Sequence, residues 1–384
     1  PLLLNDGTLV AAAHRDRARR LLVYCQPVPP TDLQVRSVLS ATPNAITFTA
    51  NAIDDATSLH VWRRHADGRL VALTDEPGVH WMTEGGSTTV VRSASMDEPG
   101  ATVTVSSAND TTPAHTIESF AESPLVAPNI QFFRTDETGL SVALLLPHDH
   151  ATTYGGGRLP VLLDPYGGPH ALRVQCANNA FVASQWFADQ GFAVVVTDGR
   201  GTPGRGSVWE RAVSGDLATV PLNDQIEALQ FVARKTSHLD LRRVAIRGWS
   251  FGGYLAALAV LRRPDVFHTA IAGAPVTEWR LYDTHYTERY LGDPNTQSEQ
   301  YDASSLLPLA SDLQRPLLLI HGLADDNVVA AHTLQLSSAL LAAGRTHEVL
   351  PLVGVTHMTP QEQVAENLLL HQLDFLHRTL PTPP

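Results

Sequence analysis

Up to about residue 113 the hydrophobic positions come in short runs with a period of two, separated by turn residues roughly every eight to twelve positions. Residues 45–50, 59–63, 88–92 and 101–105 are the clearest of these runs. Such alternation, rich in β-branched residues, places side chains on opposite faces of a strand, and no helical stripe lies between the runs. Asn5-Asp6-Gly7-Thr8-Leu9-Val10 and Ala66-Asp67-Gly68-Arg69-Leu70-Val71 repeat one theme, an Asp-Gly turn feeding a strand. Recurring four-stranded units predict propeller blades of roughly 40 to 60 residues. The segment is long enough for roughly two to three of them, and a closed ring takes at least four. This half therefore reads as part of a propeller.

Beyond a proline-bearing linker with Pro113, Pro124 and Pro128 the pattern changes. Residues 159–164, 192–197, 244–247 and 316–320 are short apolar runs, each ending in polar or glycine-rich sequence. Strands buried on both faces of a parallel sheet read this way. Amphipathic stretches at 222–236 and 331–343 fall between them. Strand and helix in alternation predict a doubly wound α/β sheet, whose ligand sites open at the carboxyl ends of its strands. The expected division is a β-rich domain over 1–125 and an α/β domain over 126–384, with the chemistry in the second.

Composition narrows the function classes. A chain of 384 residues, 43% hydrophobic and 17% charged, can bury a large core in two domains. With 27 basic against 39 acidic residues the net charge is −12, and no basic run exists to meet phosphates, so nucleic acid is excluded as a partner. No apolar stretch approaches the ~18 to 20 residues of a membrane helix. Cys25 and Cys176 are too few for a disulfide framework or a four-cysteine zinc site, and both are expected to be free. Pro1-Leu2-Leu3-Leu4 carries neither an initiator Met nor a charged leader and reads as the interior of a longer chain.

Gly248-Trp249-Ser250-Phe251-Gly252 follows the apolar run 244–247 and precedes a helical pattern over 255–261. A serine in G-x-S-x-G at a strand-to-helix turn is the nucleophile elbow, where glycines leave room for a sharp bend. Serine needs a general base, and the base needs an acid to orient it. In this fold they follow in the order Ser, Asp or Glu, His. The strand at 317–320 runs into His321-Gly322-Leu323-Ala324-Asp325-Asp326, and the run 349–353 leads to Gly354-Val355-Thr356-His357. Ser250, Asp325 and His357 satisfy that order; Asp326 rivals Asp325 as the acid, and His321 rivals His357 as the base. One oxyanion donor is the Phe251 N–H by construction of the elbow. A second would come from Asp164-Pro165-Tyr166-Gly167-Gly168-Pro169-His170, as a backbone N–H or as the Tyr166 hydroxyl.

The residues resemble the prolyl oligopeptidase family of serine peptidases, and within it the dipeptidyl peptidase IV branch. The likeness is carried by Asp164–Pro169, Asp198-Gly199-Arg200-Gly201-Thr202, Asp224-Gln225-Ile226-Glu227-Ala228, Gly248-Trp249-Ser250-Phe251-Gly252-Gly253-Tyr254, Ala274-Pro275-Val276-Thr277-Glu278-Trp279, Tyr282-Asp283-Thr284-His285-Tyr286-Thr287-Glu288-Arg289-Tyr290 and the stretch from His321 to Val328. It runs from about residue 130 to the C-terminus. The resemblance implies a C-terminal α/β-hydrolase domain preceded by the last blades of a β-propeller, with no metal or other cofactor. It implies Ser250 as nucleophile, Asp325 as acid, His357 as base, and the Tyr166 hydroxyl beside the Phe251 N–H in the oxyanion hole. A proline-accepting pocket maps onto Phe251, Val276, Trp279, Tyr282, Tyr286 and Val328, with Asn327 on a substrate carbonyl. Peptides with a penultimate proline are the implied substrates, and a homodimer the implied assembly.

The residues alone agree in part: Trp279, Tyr282, Tyr286 and Tyr290 have the spacing of one helical face, which fits a core stripe as well as a pocket edge. Two departures bear on substrate choice. Phe251 stands where the best-known members of the branch have Tyr. The family's amine-gripping pair of glutamates has no counterpart in residues 1–125, where Asp54-Asp55, Asp75-Glu76 and Asp97-Glu98 lack its context; that part of the propeller is expected to precede residue 1. The expected activity is release of N-terminal dipeptides, Xaa-Pro and less well Xaa-Ala. Its rivals are a tripeptidyl, oligopeptidyl or acylaminoacyl peptidase, an esterase, or an inactive binding protein on the same scaffold.

Overall fold

In the computed structural model, which describes residues 2–3, 9–15, 18–23, 26–28, 32–107 and 114–380, the four period-two runs are strands: Ala45–Ala52, His60–His65, Thr88–Ala94 and Thr102–Ser107. Cys25, Pro113 and the Asn5-Asp6-Gly7 turn lie outside the described residues. By internal contacts the chain divides into two units. The first comprises Pro1–Pro128, Val174–Val182 and Thr202–Glu210; the second comprises Asn129–Arg173, Ala183–Gly201 and Arg211–Pro384.

Among the described residues the first unit contains three four-stranded antiparallel sheets, each made of strands consecutive in the chain. Val10 and Leu21 of the first sheet pack against Leu33, Val35, Ile46, Phe48 and Ala50 of the second. Burying such side chains stabilises the unit by roughly 1.5–3 kcal/mol apiece for the larger ones. The polar face of Ala45–Ala52 is buried as well, through Thr47, Thr49 and Asn51. The Asn51 amide donates to the Asp55 and Gly204 carbonyls at 2.9 and 2.7 Å, which ties Thr202–Glu210 into this unit. Cys176 is a free thiol 3.5 Å from Thr57 Oγ1.

The second unit is built on eight strands: β1 (Ile130–Arg134), β2 (Ser141–Leu145), β3 (Leu159–Leu163), β4 (Ala193–Asp198), β5 (Leu239–Trp249), β6 (Thr269–Gly273), β7 (Leu317–Gly322) and β8 (Glu348–Leu352). Their order in the sheet is β1-β2-β4-β3-β5-β6-β7-β8, an α/β-hydrolase arrangement. From β3 to β8 all pairs are parallel, as the apolar runs predict. β1 and β2 are not: they form a hairpin, and β2 pairs antiparallel with β4. The short connection between β1 and β2 allows only the hairpin orientation. β1 is half exposed and so lacks the continuous apolar signature.

The principal helices are α1 (Val182–Asp189), α2 (Thr219–Lys235), α3 (Phe251–Arg262), α4 (Thr284–Leu291), α5 (Ala331–Ala342) and α6 (Glu362–Thr379). Every residue of α3 from Phe251 to Leu261 is buried; a helix apolar all round is a core helix. Among the described residues no helix is long and apolar enough to cross a membrane.

Candidate active site

Ser250 occupies the single position between the end of β5 and the start of α3, with φ 59° and ψ −118°. That is left-handed backbone, which costs a residue with a Cβ on the order of 1–3 kcal/mol and persists only where its surroundings impose it. Here they do. The Ser250 N–H donates to the Gly273 carbonyl at 2.8 Å. A Cβ on Gly248 would stand 2.2 Å from the Gly252 carbonyl oxygen, and one on Gly253 would stand 2.2 Å from that of Gly273. The turn that presents Ser250 at the N-terminus of α3 is therefore open only to glycine at these flanking positions. The helix dipole there favours developing negative charge.

Asp325 lies in the loop after β7 and is buried, with a fully covered side chain. Its Oδ1 accepts the backbone N–H groups of Asn327 and Val328, both at 2.9 Å. Its Oδ2 lies 2.8 Å from His357 Nδ1. Asp326, the rival carboxylate, is exposed. A carboxylate on Nδ1 sets the imidazole tautomer and leaves Nε2 for proton transfer. His321 Nε2 lies 3.6 Å from the same Asp325 Oδ2, but its hydrogen bonds go to other groups, with Nε2 2.6 Å from the Val328 carbonyl and Nδ1 2.7 Å from Thr333 Oγ1. Burial lowers its pKa, so it stays neutral as a brace under the acid loop. Sequence reasoning overlooked Trp249, whose indole N–H donates to the His357 carbonyl at 2.7 Å. Its place beside Ser250 was the available signal.

The aromatic stripe does not lie on one helix. Trp279–Leu281 is a 3₁₀ turn, Tyr282 is extended, and the Asp283 side chain caps α4 by accepting the Tyr286 N–H at 2.9 Å. The rings converge all the same. Trp279 and Tyr286 stack with centroids 6.0 Å apart, and Tyr282 meets both edge-on. Phe251 lies 5.8 Å from Trp279, and Tyr166 lies 5.9 Å from Phe251. Phe251, Val276, Trp279 and Val328 are buried, whereas Tyr282, Tyr286 and Tyr290 keep part of their surface exposed. The stripe is thus core at one end and surface at the other.

The Tyr282 hydroxyl donates to Asn327 Oδ1 at 3.2 Å, joining the box to the acid loop. Burial, with the neighbouring Tyr282 and Tyr290 phenols, pushes the Tyr166 pKa up to about 12, which keeps its hydroxyl a neutral donor. Behind the box the Thr277 N–H donates to His332 Nδ1 at 3.1 Å, and the Thr277 hydroxyl donates to the His332 carbonyl at 2.7 Å. His332 is fully buried, and burial lowers its pKa to about 4. No motif marked it in the sequence. Among the described residues no cluster of three or more His, Cys, Asp or Glu is arranged to hold a metal.

The model of the prolyl oligopeptidase family matches residues 179–382. Dipeptidyl peptidase 8 of Homo sapiens is 37% identical over 274 residues, 69% of this chain and 30% of its own length. Dipeptidyl peptidase 4 of Felis catus is 31% identical over 265 residues, 68% of this chain and 34% of its own. The chain thus spans about a third of the curated relatives it matches. The crystal structure of Porphyromonas gingivalis dipeptidyl peptidase 4 superposes with a TM-score of 0.88 at 24% identity, over 98% of this chain and 55% of that one. That likeness is one of fold.

Proposed function

The chain belongs to the prolyl oligopeptidase family, and from that premise we propose that it is a serine exopeptidase releasing N-terminal dipeptides, Xaa-Pro and less readily Xaa-Ala. The observation that carries this reading is the 2.8 Å contact of His357 Nδ1 with the buried Asp325 carboxylate, beside an aromatic box that reaches Phe251. His357 takes the Ser250 proton as the oxygen attacks the carbonyl following proline. Tyr166 and the Phe251 N–H receive the oxyanion. His357 Nε2 then protonates the leaving amine, and water, activated by the same nitrogen, releases the dipeptide from the acyl-enzyme. Phe251, Val276, Trp279, Tyr282, Tyr286 and Val328 form the proline pocket in this reading, and Asn327 holds a substrate carbonyl. A proline ring is rigid and apolar and lacks an N–H, so stacked aromatic faces suit it. In this reading residues 1–125 are blades of a β-propeller and 126–384 the catalytic domain; the consecutive four-stranded sheets support the first assignment.

The test is mass spectrometry of products from Ala-Pro-Xaa peptides with free and with acetylated N-termini. Release of Ala-Pro from the free peptide alone establishes the dipeptidyl activity. Cleavage of both assigns the chain to the oligopeptidyl or acylaminoacyl peptidases, which need no grip on a free amine.

A further inference from the structure

Three described residues other than glycine have left-handed backbone: His170 at φ 77°, Ser250 at 59° and Ala274 at 41°. Ser250 is the elbow. Ala274 donates its N–H to the Ile320 carbonyl at 2.7 Å, extending the β6–β7 pairing. His170 belongs to neither, and strain of this kind marks sites that their surroundings over-determine.

His170 sits on the loop after β3, four residues beyond Tyr166. The base of that loop is clamped. Arg173 Nη2 and Ser184 Oγ donate to Asp164 Oδ2 at 2.9 and 2.7 Å, and the Arg173 N–H donates to the Asp198 carboxylate at 2.9 Å. Mid-loop, Gly168 lies so close to Phe251 that a Cβ there would be 2.3 Å from the ring. The tip is tied across to α4: His170 Nε2 shares a 2.9 Å hydrogen bond with the Tyr290 hydroxyl, and its ring lies 5.2 Å from that of Tyr286. One loop therefore carries Tyr166, rests on the Phe251 end of the aromatic box and is bonded to its tyrosine wall.

We propose that His170 is a positioning residue: its bond to Tyr290 holds the oxyanion loop to the pocket wall, so that Tyr166 and the ring-binding surface keep one relative geometry. The proposal rests on the reading of Tyr166 as an oxyanion donor. Small misplacements of a catalytic group cost rate without costing binding, so the bridge acts on kcat.

The decisive variants are His170→Gly, which adopts the same backbone without strain, Tyr290→Phe, which deletes only the hydroxyl, and His170→Gln, which returns a hydrogen-bonding group of similar reach. With Ala-Pro-p-nitroanilide, the first two are expected to lower kcat about tenfold, change KM less than about twofold and melt within a few degrees of the parent chain. His170→Gln recovers most of the rate. In the His170→Gly background, Tyr166→Phe costs much less than its usual ~10²-fold, because the donor is already displaced. Unchanged kcat, or two losses that simply multiply, overturns the bridge.

Labelling of Ser250 by diisopropyl fluorophosphate, which uses the serine and its oxyanion donors but no proline, is followed in parallel. If the parent chain labels but spares the anilide, the dipeptidyl reading fails, and the same ratios of labelling rates still decide the bridge. If it neither cleaves nor labels, both fall.

Discussion

At Asp325 two backbone amides bond one oxygen and the His357 imidazole the other, on a carboxylate that has no access to water. Its neighbour Asp326 points into solvent. Adjacent side chains on a tight loop diverge, and which one turns inward is settled by the amides that fold back on it. The two residues are therefore expected to part sharply: Asp325→Asn should lower kcat by about 10⁴-fold, by analogy with loss of the orienting acid in other triads. Asp326→Asn should stay within about twofold; the reverse ranking would move the acid to Asp326. Tyr166→Phe should cost about 10²-fold in kcat, and an unchanged rate would return the second oxyanion donor to the backbone.

With its pKa pushed up to about 12 by burial, Tyr166 should show no ionisation step in the pH–rate profile near pH 10. The linked stability is fully present below pH 10 and is lost as pH rises toward 12, because only the unfolded phenol ionises in that window.

Elements carry constraints that no single residue explains. α3 follows β5 with one residue between them because Gly248, Gly252 and Gly253 let backbones touch. Gly253→Ala, with its Cβ at 2.2 Å from a carbonyl oxygen, should destabilise the chain by roughly 3 kcal/mol, read from urea unfolding. The α5 turn is pinned to the wall of the aromatic box by the buried His332. A histidine pKa lowered to about 4 in the fold, against 6.5 when unfolded, means that the unfolded state binds the extra proton between those values. Stability should therefore fall as pH drops from 6.5 to 4, by on the order of 2–3 kcal/mol from this group. In His332→Asn urea midpoints should depend less on pH across that window.

The helices over 222–236 and 331–343 were legible from their period, and the broken helix around Tyr282 was not. Four aromatics at helical spacing meet across a 3₁₀ turn, an extended residue and a capped helix just as they would on one face. Spacing reports neighbours, and here the neighbours survive a change in the backbone between them.

At the scale of the whole molecule, a net charge of −12 without a basic run predicts that the chain passes through a heparin column at low salt without retention; retention released by salt would reopen nucleic acid as a partner. The parallel part of the sheet was legible because strands buried on both faces must be continuously apolar. β1 escaped because a half-exposed edge strand carries no such run; β2 is buried and apolar over 142–145, but a run of that kind does not reveal that both its pairings are antiparallel. That Val174–Val182 and Thr202–Glu210 join the first unit was also invisible, since segments that follow strands of the second unit carry no local mark of where they pack.

The amino-acid sequence by itself determined what depends on local stereochemistry and on periodic burial: the glycine-lined turn at Ser250, the run of parallel strands, and the order in which Ser250, Asp325 and His357 follow them. Tertiary structure alone decided which carboxylate meets His357, that Trp249 secures the His357 carbonyl, that His332 backs the box and that His170 reaches Tyr290. Each of these joins residues from separate elements, through hydrogen bonds whose geometry exists only once the sheet has brought the strand ends together.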